Sequence, residues 1–130
     1  IDGFFLNFTN DMRSSLSPMA GKLLSDLEEE NSEINLSNIS NPLFADTYKA
    51  LGRMKLLKIL QGELIISYAH FTDLKKKVLK GLSIGDEFPF STVKESLQLS
   101  RRILIPLLEE LDSEGYFQRE GDSRIVLKID

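Results

Sequence analysis

Twice in this chain a helical run of apolar residues breaks off and is followed by two short apolar runs on either side of a glycine. In the first case "KLLKIL" and "ELIISY" flank Gln61-Gly62, which reads as a two-residue turn. In the second, residues 116–119 and 124–128 flank Glu120-Gly121-Asp122-Ser123. A lone two-stranded hairpin is marginal in water and needs a helix laid against one face. Two hairpins, each with its own preceding helices, therefore predict two small units rather than one long helical bundle.

The helix ends can be placed from their capping chemistry. Ser17 can accept from free N–H groups at a helix start, and Pro18 suits the first helical position because its missing N–H is not needed there. Leu23, Leu24 and Leu27 form one face of the helix that follows. "INL" at 34–36 reads as a short strand, and Ser37 or Asn38 starts a brief helical turn. Pro42 opens a helix over about 42–53, with Leu43, Tyr48 and Leu51 on its buried side. The second half repeats this order. Residues 72–82 form a helix with Leu74, Val78 and Leu82 at helical spacing. "EFPF" is a short strand that Pro89 confines to a sheet edge. Thr92 and Glu95 make a capping-box pair for a helix over 92–98. Ser100 caps a helix over 101–113 with a core stripe of Ile103, Leu107, Leu108 and Leu111, bent by Pro106 and ended by Gly115.

Helix, strand, helix, turn, helix, hairpin is the winged-helix plan. The expected fold is α+β, mostly helical, with tandem winged-helix domains. Residues 1–69 make the first, their N-terminal part being linker or the end of a preceding domain, and 70–130 the second. Each is small but able to bury a core. The absence of an initiator Met suggests the middle of a longer polypeptide.

Composition narrows the function classes. There is no cysteine among the 130 residues, which removes disulfides, thiolate metal sites and a cysteine nucleophile and fits a reducing, cytoplasmic setting. No stretch approaches the ~20 apolar residues of a membrane span, and the start "IDGFFLNFTND" lacks the layout of a signal peptide. The Asn-x-Ser/Thr triplets at Asn7, Asn35 and Asn38 are short enough to arise by chance. Net charge is −4 but unevenly spread: −6 over residues 1–48, +6 over 49–81 and −4 over 82–130. The acidic average conceals a basic middle, whose simplest reading is a solvated lysine-rich helix.

No catalytic constellation appears, no cofactor or metal is expected, and the chain is not expected to be an enzyme. Gly21-Lys22 is followed by Leu23 and lacks the upstream glycine of a phosphate loop. His70, the sole histidine, reads as a linker or packing residue. Glu109-Glu110 reads as a solvated pair. Arg101 and Arg102 stand apart. They occupy the first turn of the helix that a helix-turn-helix uses for recognition, where a cation conflicts with the helix dipole and an anionic partner relieves the conflict. Arg119 and Arg124 lie on the wing strands. The simpler alternative for all four is salt bridging to neighbouring acids.

The stretch "FSTVKESLQLSRRILIPLLEELDSEGYFQREGDSRIVL" resembles the last winged-helix domain of bacterial selenocysteine-specific elongation factors, the SelB family. Ser100, Arg101, Arg102, Pro106, Leu107, Leu108, Glu109, Leu111, Asp112, Gly115, Arg119, Gly121, Asp122 and Arg124 sit at matching positions. Over 42–80 the likeness is one of element order. Tyr116-Phe117-Gln118 departs from the family's more basic wing approach. The resemblance implies an RNA-binding C-terminal fragment that recognises the messenger-RNA hairpin for selenocysteine insertion. By position it implies RNA contact by Ser100, Arg101, Arg102, Arg119 and Arg124. The ribosome is a further implied partner, and GTP and selenocysteinyl-tRNA are implied only through domains upstream of this chain. The alternatives are a winged-helix protein-interaction module and a DNA-binding transcriptional regulator. Against the latter, Glu109, Glu110 and Asp112 repel phosphate along the outer face of the 101–113 helix.

Overall fold

The computed structural model describes residues 17–130, so the opening stretch and Asn7 lie outside the described residues. The first unit begins with helix α1 (Pro18–Glu30), whose first turn is capped by the Ser17 hydroxyl accepting from the Ala20 N–H at 3.2 Å. Asn31 ends it in the left-handed region, φ 47°, its N–H donating to the Leu27 carbonyl. Strand β1 (Ile34–Asn35) and a single 3-10 turn (Leu36–Asn38) lead to α2 (Pro42–Arg53), capped by Asn41. Strands β2 (Leu57–Leu60) and β3 (Leu64–Ser67) complete a sheet of order β1-β3-β2. The turn between them takes three residues rather than two. Leu60 pairs with Leu64, and both Gly62 and Glu63 have positive φ. Leu43, expected inside, is 60% exposed, because residues 41–44 at the start of α2 are exposed on every side while Tyr48 and Leu51 are buried.

The second unit follows with no linker. Helix α3 (Tyr68–Leu79) starts as β3 ends, its first turn capped by the wholly buried Ser67 hydroxyl accepting from His70 N–H at 3.0 Å. It begins four residues before the expected start at 72, so a boundary at 69/70 falls inside its first turn. Strand β4 (Glu87–Pro89), helix α4 (Phe90–Leu97), helix α5 (Arg101–Ser113) and the hairpin β5 (Phe117–Glu120) and β6 (Ser123–Val126) complete it. The sheet order is β4-β6-β5, with Pro89 on the edge strand. As in the first sheet, the first strand pairs with the last. Thr92 lies inside α4, because Pro89 sets the helix start at Phe90, so the expected capping box with Glu95 does not form the cap.

Two cores hold this together. One gathers Leu24, Leu27, Leu36, Tyr48, Leu51, Leu56, Leu57 and Ile65. The other gathers Phe71, Leu74, Val78, Phe88, Val93, Leu104, Leu107, Leu108, Leu111, Tyr116, Phe117 and Val126, and it also takes Leu60, Leu64 and Ile66 from the first sheet. Alternate side chains of a strand point to opposite faces. Ile65 therefore faces α1 and α2, while Leu64 and Ile66 face the second unit. This explains why "LII" is an unbroken apolar run: β3 is covered on both sides. Phe88 and Phe117 meet edge to face, ring centres 5.1 Å apart, and tie the edge strand to the wing.

Candidate nucleic-acid interface

Helix α5 delivers a charged start to the surface because its apolar stripe, Leu104, Leu107, Leu108 and Leu111, is fully buried and fixes its rotation. Ser100 has N-cap backbone angles, yet its hydroxyl makes no capping bond and is exposed. The Ser100 carbonyl receives the N–H groups of Ile103 and Leu104. Arg101 lays its guanidinium 5.1 Å from the centre of the Phe90 ring, a cation–π contact that turns it toward the wing. Arg102 turns the other way and donates to the Glu33 carbonyl of the first unit at 3.4 Å.

On the wing, Arg119 and Arg124 face each other across β5 and β6. Like charges directly opposite are destabilising, and Asp112 of α5 resolves the conflict. Its carboxylate accepts from Nε and Nη2 of Arg124, each at 2.9 Å, and the Arg124 side chain is only 6% exposed. Arg124, expected among the RNA-contacting residues, is paired with Asp112 within the fold, where it pins the wing to α5. Arg119 is exposed, with Nε donating to the Gly121 carbonyl in the turn.

Between the helix start and the wing lies an open cleft of about 410 Å³ lined by Pro89, Phe90, Ser91, Arg101, Ile105, Glu109, Arg119, Asp122 and Arg124. Arg101, Arg119 and Arg124 meet here, whereas Arg102 and Ser100 lie outside the lining. Sequence reasoning missed Phe90 and Ile105. Ile105 carried a legible signal, since it is apolar yet out of phase with the buried stripe, and it is 39% exposed. The cleft offers two guanidinium groups, an aromatic face and an apolar side chain, with Glu109 and Asp122 on its lining. That combination suits a flat heterocycle flanked by phosphate, and it repels a backbone laid along α5.

The lysine-rich middle is only partly solvated. Lys58 of β2 forms ion pairs with Glu110, at 3.1 Å, and with Glu114, both on α5. Gln61 donates to Glu110 at 3.2 Å, and Lys58 also lies over the Phe71 ring. Glu110, expected to be solvated, is 8% exposed. Its partners stand 49 and 52 residues upstream, beyond the reach of helical spacing. Burial pushes the Glu110 carboxyl up despite Lys58. At Glu114 burial acts in the same direction, but hydrogen bonds with Glu110 and Lys58 and the Lys58 and Lys75 charges hold the carboxyl below its ordinary value. Burial would lower the Lys58 ammonium, but the two carboxylates more than offset this and raise it. His70, half-buried, faces the Glu33 carboxylate at 3.4 Å. Among the described residues, no group of acids and histidine could hold a metal ion, and no helix is long and apolar enough to cross a membrane.

Residues 85–126 match the family model described as elongation factor SelB, winged helix. A solved bacterial selenocysteine-specific elongation factor, EF-Sec, is similar at 28% identity over 86% of this chain, with a TM-score of 0.64. This chain spans 19% of that structure's length. The mRNA-binding domain of elongation factor SelB from E. coli, solved in complex with SECIS RNA, shares the fold. Its TM-score is 0.63 at 11% identity, over 87% of this chain and 100% of that one. No curated protein sequence matches the chain.

Proposed function

We propose that this chain, whose C-terminal unit is a winged helix of the SelB family, is the RNA-binding C-terminal region of a selenocysteine-specific translation elongation factor. It recognises the messenger-RNA hairpin that marks the selenocysteine codon. The observation that carries this reading is the convergence of Arg101 and Arg119 on one cleft floored by Phe90 and Ile105. RNA hairpins are read through phosphates and through loop bases splayed from the stack. In this reading Arg101 and Arg119 neutralise tip phosphates, and an unstacked base lies against Phe90. Ser100 presents its uncapped hydroxyl to the same strand. Arg102 contributes from the rim, and Arg124 positions the wing. Glu109 and Asp122 keep a continuous duplex from settling along α5, which favours a hairpin tip over double-stranded DNA. The chain itself supplies recognition rather than catalysis. Binding of GTP and selenocysteinyl-tRNA belongs to upstream domains of a cytoplasmic, ribosome-associated protein.

Fluorescence anisotropy with a selenocysteine-insertion hairpin and a scrambled-stem control tests this. A charge-assisted phosphate contact is worth roughly 1.5–3 kcal/mol. Arg101→Ala should therefore weaken hairpin binding at least about tenfold while leaving the thermal midpoint unchanged. Wild-type affinity in an Arg101→Ala, Arg119→Ala double variant would remove the cleft from consideration.

A further inference from the structure

We infer that the first unit carries a second RNA contact, a cationic groove at the C-terminal end of α2 that takes the phosphodiester backbone of duplex RNA. The groove, about 430 Å³, is lined by Lys49, Gly52, Arg53, Lys55, Leu57, Lys58, Ile59 and Tyr68. Four of these eight carry positive charge and none carries negative charge, unlike the wing cleft with its Glu109 and Asp122. Three cations of the basic segment have partners. Lys58 is held by Glu110 and Glu114, Lys75 by the Tyr116 hydroxyl, and Lys77 by Asp73. Lys49, Arg53 and Lys55 are exposed and form no ion pair among the described residues.

Their placement is a local conflict. Lys49 and Arg53 stand four apart on one face of α2, a like-charge pair that destabilises a helix by a few tenths of a kcal/mol. The dipole at the helix end favours a cation there, but it does not call for three converging ones. Lys55 joins them from the left-handed residue that ends the helix, φ 61°, its N–H bound to the Gly52 carbonyl. The fold brings the groove wall close because Gly52 lacks a side chain. A Cβ there would meet Ile59 Cδ1 at 3.1 Å. Tyr68, 39% exposed, adds a flat polar-tipped face, held edge-on by Phe71 at 6.2 Å. Three unpaired cations beside the paired Lys58, on a lining that holds no acid, have the chemistry of a surface that meets a regular polyanion without sequence preference.

This inference rests on the reading of the partner as RNA, so the test separates the two. Lys49→Gln and Arg53→Gln change exposed helical positions and should not alter the melting curve. Binding of the double variant to a plain RNA duplex of about 20 base pairs should show a salt slope shallower by about 1.8. Its deficit against wild type should shrink about twelvefold between roughly 50 and 200 mM salt. Preference for the insertion hairpin over a scrambled stem should persist. An unchanged duplex affinity and salt slope would overturn the groove while leaving the wing cleft standing. So would equal competition by polyglutamate, which would make the partner an acidic protein. Loss of hairpin preference in Arg101→Ala with an intact groove effect would support the groove on its own.

Discussion

Replacing Lys58 by Met should expose how the two units are joined. Methionine keeps the apolar stem over Phe71 and removes only the ammonium group. The Lys58 and Glu110 side chains are 19% and 10% exposed, so the pair is largely dry. Removing one member of a fully buried pair costs about 3–5 kcal/mol. Here Gln61 still donates to Glu110, and the carboxyl can take up a proton, so the expected loss is about 2–3 kcal/mol. For a chain of this size that is a fall of about 6–15 °C in Tm. The pH dependence identifies the cause. In the wild type Glu110 is already held up by burial, so its neutral form favours the fold and its contribution grows as pH falls. Glu114 is held down, so its contribution is present above the carboxylate range and is lost as pH falls. Without Lys58 only Gln61 offsets burial at Glu110, and only Glu110 and the Lys75 charge offset it at Glu114, so both carboxyls protonate more readily in the folded state. The deficit of Lys58→Met should therefore be large at about pH 7 and shrink toward about pH 4.5. Adding Glu110→Gln and Glu114→Gln should recover most of it at neutral pH. Denaturant melts of the three proteins at both pH values measure this. An equal deficit at both, with no recovery in the triple variant, would mean that packing rather than charge sets the cost.

Two further outcomes follow from the same contacts. Arg124→Ala leaves Asp112 without its guanidinium partner in a half-buried site and should cost about 2–4 kcal/mol in a urea melt, whereas Arg119→Ala should be nearly neutral. Residues 17–130 should melt in one transition by calorimetry, because Leu60, Leu64 and Ile66 belong to the second unit's core. Two resolved transitions would show that the units are separable.

The sequence read most clearly where structure is local. The helix over 42–53, the strand at the Pro89 edge and the buried Leu107, Leu108 and Leu111 of the 101–113 helix follow from Pro42, Pro89 and apolar spacing, whereas Leu104 is buried in place of the expected Ile103, which is only partly covered. What it hid is what distant contacts decide. Glu110 looked like one of a solvated pair because nothing within its helix shows that Lys58 will be brought to it. Salt bridging was open for Arg124, but its partner could not be named, because Asp112 lies twelve positions back on a different element. Leu43 fitted the apolar face of α2 but lies in a first turn that is exposed on every side. Helix α3 begins early because the Ser67 hydroxyl, buried at the end of a strand, had no apolar pattern to announce it as a cap.

That cap has a mechanical consequence. Strand and helix are spliced at Ser67 without a spare residue, and the strand is clamped from both sides. Any rotation of one unit against the other would have to pull Leu64 and Ile66 out of the second core or Ile65 out of the first, so the cost of bending here is counted in apolar surface returned to water.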